Sequence, residues 1–234
     1  MKVVFVFAHP DDETFSRGGT IIKLTKLRNT VNLICATKGE AGEVGNPPVT
    51  DKKNLGKVRQ KELENAAKIL GIKKIHFLGL IDGTLHKIKT EKLSDAIFKK
   101  LTEENPDVVI TFDSSGGSNH PDHIAVSKAT TLAFEKLINK SKKHIKLYHT
   151  AMPKTNIEKL EKAGLSYTAF GKIKGVEDDT ITSKINIAKF FNGKAKALKQ
   201  HKTQHQDWER FFKRDFTIDL SNEHFKLIKE NGIN

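Results

Sequence analysis

The chain has 234 residues, enough for one α/β domain to bury its own core, and no run in it approaches the ~20 apolar residues of a membrane span. Its formal net charge is +13, with the lysines scattered over most of the expected helices, and Cys35 is its only cysteine, which excludes an intramolecular disulfide framework. Few aromatics are interleaved with those lysines, which speaks against a base-stacking nucleic-acid surface; a lysine-rich composition and attraction of an anionic small molecule both remain open.

The chain runs straight into a strand with no charged-then-apolar leader, so a soluble, cytoplasmic protein is expected. Residues 3–7, Val-Val-Phe-Val-Phe, form an unbroken apolar run, the mark of a strand covered on both faces. Residues 14–28 read as a helix with Ile21, Ile22 and Leu24 on its apolar side, and residues 31–36 as a second strand. A helix at 55–70 buries Val58, Leu63, Ala66, Ala67 and Leu70 and stops at Gly71. There follow a strand at 75–80, a helix at 92–104 ended by Asn105-Pro106, a strand at 108–112, a helix at 123–138 and a strand at 145–152. Strands joined in sequence by helices imply right-handed crossovers and a Rossmann-like three-layer α/β fold, a mostly parallel sheet with helices on both faces. Beyond about residue 153 the periodicity weakens to short strands near 166–170 and 180–187 and a helix near 192–203. No linker or repeat interrupts the chain, so residues 1–234 are expected to form one domain. Gly39, Gly42 and Gly45 are spaced G-x-x-G-x-x-G, and Pro47-Pro48 stands where a phosphate-binding helix would begin, so this stretch reads as a rim loop rather than a dinucleotide fingerprint.

Two short motifs carry the chemistry. His-Pro-Asp-Asp-Glu at residues 9–13 follows the first strand, and His-Pro-Asp-His at residues 120–123 follows the fourth after a Gly/Ser-rich loop. Catalysis in open α/β sheets gathers at the carboxyl ends of strands, so the two motifs are expected to bring His9, Asp12 and His123 around one metal ion. Three N/O ligands with an open position suit a catalytic zinc, which brings a bound water's pKa down to about 7. Asp11, beside a ligand, is placed to take the water's proton and return it to a leaving amine; the structural alternative is an N-cap of the helix near Thr14. His120 reaches the site without ligating and is placed to stabilise an oxyanion, with Asp122 orienting it. Glu13 is a supporting acid or a first-turn helix residue.

With the stretch at residues 8–13, Gly18-Gly19-Thr20, Thr37-x-Gly39-Glu40-x-Gly42, Arg59-x-x-Glu62, Leu70-Gly71, Asp82-Gly83, His120-Pro121-Asp122-His123 and Lys196-Ala197-Leu198-x-x-His201-x-x-Gln204, the chain resembles the LmbE-like (PIG-L) family of zinc-dependent N-acetylglucosaminide deacetylases along nearly its whole length. The resemblance implies hydrolysis of the acetamide of an N-acetylglucosamine-containing small molecule. It implies His9, Asp12 and His123 as metal ligands, Asp11 as general base and His120 as oxyanion stabiliser. It further implies substrate contacts from Arg59, Asp82 and Glu43, with Arg59 pairing an anionic aglycone such as malate or phosphate; a surface pair of Arg59 with Glu62 or Glu64 is the alternative. The loop around Asn46-Pro47-Pro48 resembles members that deacetylate glucosaminyl-malate on the way to bacillithiol. Amidase action on thiol conjugates and chitooligosaccharide deacetylation share the same metal site, and iron(II) suits these ligands as well as zinc. A homo-oligomer is compatible with the sequence. A basic nucleic-acid-binding module, the reading from another class, has no use for an unligated Asp11 and His120.

Overall fold

Residues 3–8 are all buried, which requires a strand with neighbours on both edges and layers on both faces. This is β1 (Lys2–Phe7), an interior strand, third of seven in the sheet of the computed structural model, which describes residues 1–212 and 220–232. On one side of β1 lie β2 (Thr30–Thr37) and then β3 (Lys74–Leu80); on the other lie β4 (Val108–Thr111) and then β5 (Lys146–Ala151), all parallel. α1 (Asp12–Lys26) and α2 (Leu55–Leu70) carry the chain outward from β1 to β3, whereas α3 (Thr90–Glu104) and α4 (Pro121–Ile138) carry it back across to β4 and β5. Right-handed crossovers in opposite directions place the two helix pairs on opposite faces. The direction reverses between β1 and β4, so the chain leaves these neighbouring strands toward opposite sides and opens a crevice at their carboxyl ends.

After β5 come α5 (Lys154–Lys162), a hairpin of β6 (Tyr167–Thr168) and β7 (Gly171–Lys172), β8 (Ser183–Asn186), α6 (Phe191–Leu198), α7 (His205–Phe212) and β9 (Asn222–Glu230). β9 lies antiparallel beside β5 and β8 antiparallel beside β9, giving the order β3-β2-β1-β4-β5-β9-β8. The mostly parallel α/β sheet expected from periodicity is present. The short strands expected near 166–170 and 180–187 are present as β6 and β8; β9, α5 and α7 are additions, and the expected 192–203 helix stops at Leu198. Among the described residues no helix is long and apolar enough to cross a membrane.

The antiparallel edge is tied to the first helix. α1 kinks at Arg17, whose φ of −144° is not helical, so the amides of Gly19 and Thr20 lose their helical acceptors. Both donate to the Glu223 carboxylate of β9, at 3.2 and 2.8 Å, and Lys194 of α6 pairs with the same carboxylate at 2.8 Å. Gly19 has to be glycine for this packing, because a Cβ there would lie 2.6 Å from Cβ of Ile187. Lys194 and Glu223 are both buried, and removing one leaves the other uncompensated. Glu223→Ala is therefore expected to cost about 3–5 kcal/mol, read as a lower urea midpoint at unchanged slope. The double variant Lys194→Met, Glu223→Leu should recover only the part due to the uncompensated Lys194, since the Gly19 and Thr20 amides stay without their acceptor; a midpoint that Glu223→Ala does not move would show the pair to be dispensable.

Candidate active site

The crevice between β1 and β4 is filled by the two motifs. β1 ends in Ala8-His9, and the chain turns through Pro10 and Asp11 into α1, with the Asp12 carboxylate accepting the His9 amide at 2.7 Å. On the other side β4 runs into Phe112 and a loop gathered by Asp113, whose Oδ1 accepts the amides of Ser115 and Gly117. His120 is the N-cap of α4, Pro121 occupies the first turn, and His123 follows one helical turn into the site. Gly116, at φ +70°, brings its carbonyl to His123; a Cβ there would sit 2.7 Å from the His123 Cβ.

Three atoms converge. His9 Nδ1 and His123 Nε2 are 3.1 Å apart, Asp12 Oδ1 lies 3.2 Å from His123 Nε2, and Asp12 Oδ2 lies 3.5 Å from His9 Nδ1. Zinc bonds of about 2.0–2.1 Å in a tetrahedron set ligand atoms roughly 3.3–3.4 Å apart. The groups behind the rings decide which nitrogens carry protons. His123 Nδ1 donates to the Gly116 carbonyl at 3.0 Å, and His9 Nε2 lies 2.8 Å from Asp82 Oδ1, so in the neutral rings the inward nitrogens bear lone pairs. With the inward nitrogens unprotonated, two lone pairs and a carboxylate facing one another suit a bound cation. Burial opposes ionisation of Asp12, but the imidazoles of His123 and His9 outweigh it and hold this carboxyl well below its usual range. His120 also has a ring nitrogen within 4.8 Å of ligand nitrogens on His9 and His123. Its Nδ1 accepts the Asp122 amide at 3.2 Å, however, which leaves Nε2–H as a donor rather than a ligand. Burial first, and then the neighbouring imidazoles of His123 and His9, push the His120 ring down to about 4, so it is neutral.

Asp11 stands beside the trio in a strained backbone conformation, φ 111°. Burial raises its carboxyl to about 6 against the opposing pull of Arg59, and Asp12 adds to the rise. Arg59 NH2 donates to Asp11 Oδ2 at 2.9 Å and to the Pro10 carbonyl at 2.6 Å, while NH1 donates to the Gly39 carbonyl at 2.9 Å. Asp11 is not a side-chain N-cap: α1 has no such bond, and its amide instead donates to Glu13 Oε2 at 3.1 Å.

Several expected contacts take a different form. Arg59 makes no pair with Glu62 or Glu64: it is only 3% exposed, with its guanidinium committed to Asp11 and two carbonyls. Asp82 lines the cavity, but one carboxylate oxygen faces His9 and the other accepts the Ala41 amide at 3.0 Å, so it backs a ligand rather than reaching into open space. The Asp122 carboxylate does not orient His120. It is fully buried on the other side of the α4 turn, accepting the amides of Gly83 and His86 and the His86 ring, with Oδ2 3.6 Å from His9 Nε2. The Glu43 side chain is exposed and lies outside the residues lining the cavity; only its carbonyl is held, by Gln204 at 2.8 Å.

The trio forms the inner end of a cavity of about 650 Å³, lined also by Asp113, Thr168, Met152, Gln204 and Asp207. Above His120 the β6–β7 hairpin lays the Phe170 ring, centroids 4.3 Å apart. Phe170 reaches the site through long-range packing, for which there is no local signal, whereas Asp113 stands at the carboxyl end of β4, the position that pointed to the motifs, and was passed over; Gln204 stands in the late stretch that carries part of the family resemblance.

Residues 4–134 match the PIG-L family, described as GlcNAc-PI de-N-acetylase. A probable N-acetyl-alpha-D-glucosaminyl L-malate deacetylase 2 of Bacillus anthracis is 40% identical over 132 residues, covering 56% of this chain and 58% of that protein, less than two thirds of its length. A 1D-myo-inositol 2-acetamido-2-deoxy-alpha-D-glucopyranoside deacetylase of Thermobispora bispora is 28% identical over 245 residues, 88% of this chain and 81% of that one. The solved structure of N,N'-diacetylchitobiose deacetylase from Pyrococcus horikoshii superposes with a TM-score of 0.68 at 23% identity, covering 97% of this chain and 83% of that one, a likeness of fold. With both motifs and more than half of the chain inside the family match, this protein belongs to the PIG-L (GlcNAc-PI de-N-acetylase) family.

Proposed function

We propose that the protein is a metal-dependent hydrolase that removes the acetyl group from an N-acetylglucosamine-containing small molecule, with zinc as the ion and iron(II) also suited to the N/O ligand set. The observation that carries this reading is the convergence of His9, Asp12 and His123 on one point beside an unligated, buried carboxylate, Asp11. The names of the relatives, deacetylases of glucosaminyl-malate and inositol glucosaminide, support the substrate class.

His9 Nδ1, Asp12 and His123 Nε2 would hold a divalent cation, which when bound would supply Lewis acidity toward a water and the acetamide carbonyl. Asp11 does the proton transfer. Arg59 occupies its Oδ2, which leaves Oδ1 to take the proton as the water oxygen bonds to the acetamide carbon. The same oxygen returns the proton to the glucosamine nitrogen as the C–N bond breaks, so acetate and a free amine leave. His120 donates Nε2–H to the carbonyl oxygen as negative charge gathers there. The cavity walls exclude bulk water and hold the sugar; the buried Arg59 acts on Asp11 rather than on the aglycone.

Alanine at His9, Asp12 or His123 should lower bound zinc and turnover together, and a His123→Ala protein with full zinc and full turnover would refute the ligand assignment. Asp11→Asn should keep its zinc and lose about 10²–10⁴-fold in kcat on an N-acetylglucosaminide. Parallel loss of zinc would instead make Asp11 a ligand. Arg59→Ala should depress kcat to a similar degree on neutral and anionic glucosaminides, because its guanidinium serves Asp11; a loss confined to anionic aglycones would return Arg59 to substrate recognition.

A further inference from the structure

Apart from Gln204, which lines the cavity, the stretch from Lys196 to Gln204 has no part in the chemistry described so far, yet it delivers a fully buried imidazole beneath the site. α6 ends at Leu198, the backbone leaves helical geometry at His201, and one 3-10 turn follows at Lys202–Gln204. Thr203 pins this turn to α2, its amide and hydroxyl donating to Glu62 at 2.8 and 2.7 Å. His201 is thereby fixed beneath the first motif, with Nε2 3.3 Å from Glu13 Oε1 and both residues at 0% exposure. The other Glu13 oxygen accepts the Asp11 amide, and Thr14 Oγ1 also donates to this carboxylate.

Asp11 needs such support. A non-glycine residue at φ 111° is strained by about 1–3 kcal/mol and persists only where its surroundings over-determine it. Arg59 restrains the carboxylate end of the residue and Glu13 the amide end. Glu13 in turn is a carboxylate with no access to water, which needs partners on every side to stay where it is. Thr14 and the Asp11 amide are its hydrogen-bond donors, and the His201 ring stands against it at ion-pair distance, 3.3 Å.

We propose that Glu13 and His201 are positioning residues: together they hold the Asp11 backbone in its strained conformation and so aim its carboxylate at the metal-bound side of the crevice. The proposal rests on reading Asp11 as the base, and its tests separate the two. In the zinc-loaded protein, Glu13→Ala and His201→Leu should each lower kcat about 10- to 100-fold, the scale of a misplacement near 1 Å. Zinc per chain should stay unchanged and KM within about twofold, since binding is not what is lost. Glu13→Gln, which keeps a carbonyl acceptor for the Asp11 amide, should recover part of the turnover, an outcome that simple core destabilisation does not produce. Wild-type kcat in both Glu13→Ala and His201→Leu, or zinc lost in step with activity, would overturn the proposal. If Glu13→Ala does not fold, His201→Leu carries the same comparison. A crystal structure of the zinc-loaded variant gives a readout independent of turnover. Asp11 returning to negative φ with its carboxylate displaced supports the positioning role, and an unmoved Asp11 refutes it. That readout holds even if the wild-type protein releases no acetate, a result that would sink the deacetylase reading alone.

Discussion

His9 Nδ1, His123 Nε2 and the Asp12 carboxylate are held 3.1–3.5 Å apart, and this is the constraint to which the crevice is built, because with the inward nitrogens unprotonated their lone pairs repel one another. Each ring is fixed from behind, His9 by Asp82 and His123 by the Gly116 carbonyl. The apolar core contributes as well. Phe112 stacks flat on the His123 ring, centroids 4.1 Å apart and planes 5° apart, and itself rests against Phe7 of β1. Sheet packing is thus continuous with the ligand geometry, and a cation that relieves the repulsion would stabilise the folded chain by mass action.

Around that trio the polar groups divide by the atom they serve. Asp82 and Asp122 face the outer nitrogen of His9, while Arg59 and Glu13 act on Asp11. One turn of chain, His9–Glu13, therefore presents a ligand pair and an unligated acid in alternation. Each is stabilised from a different part of the fold: β3 and its following turn, α2, and the segment after α6. The polar network reaches across the chain because no single element could satisfy so many buried charges.

Legibility in the sequence followed burial. β1, β2 and β4 are covered on both faces and write continuous apolar runs, so they and their helices were readable to within a residue or two. β9 was not, because its buried positions are Glu223 and Phe225: a charge stands where alternation calls for an apolar residue, and the ion pair that justifies it lies 29 residues away on α6. The same limit applies in the site. Residue types and strand-end positions sufficed to group His9, Asp12 and His123. Whether Arg59 faces solvent or Asp11, and whether Asp122 faces His120 or the turn after β3, depends on packing between segments 39 to 48 residues apart, about which local pattern is silent.

The turn after β3 and the glycine-containing loop after β2 exchange hydrogen bonds: Asp82 accepts the Ala41 amide at 3.0 Å while Glu40 accepts the Asp82 amide at 3.1 Å. Because the second Asp82 oxygen faces His9, one carboxylate is shared between the rim of the cavity and the proposed ligand His9. A shift of the rim loop would move the carboxylate that faces His9 Nε2, and a cation on His9 Nδ1 would in turn strengthen that contact. By thermodynamic reciprocity the two equilibria carry the same coupling energy. Occupancy of the proposed ion site and order in the loop that borders the cavity mouth would then be linked variables, so the mouth of the cavity would report on the state of the crevice behind it.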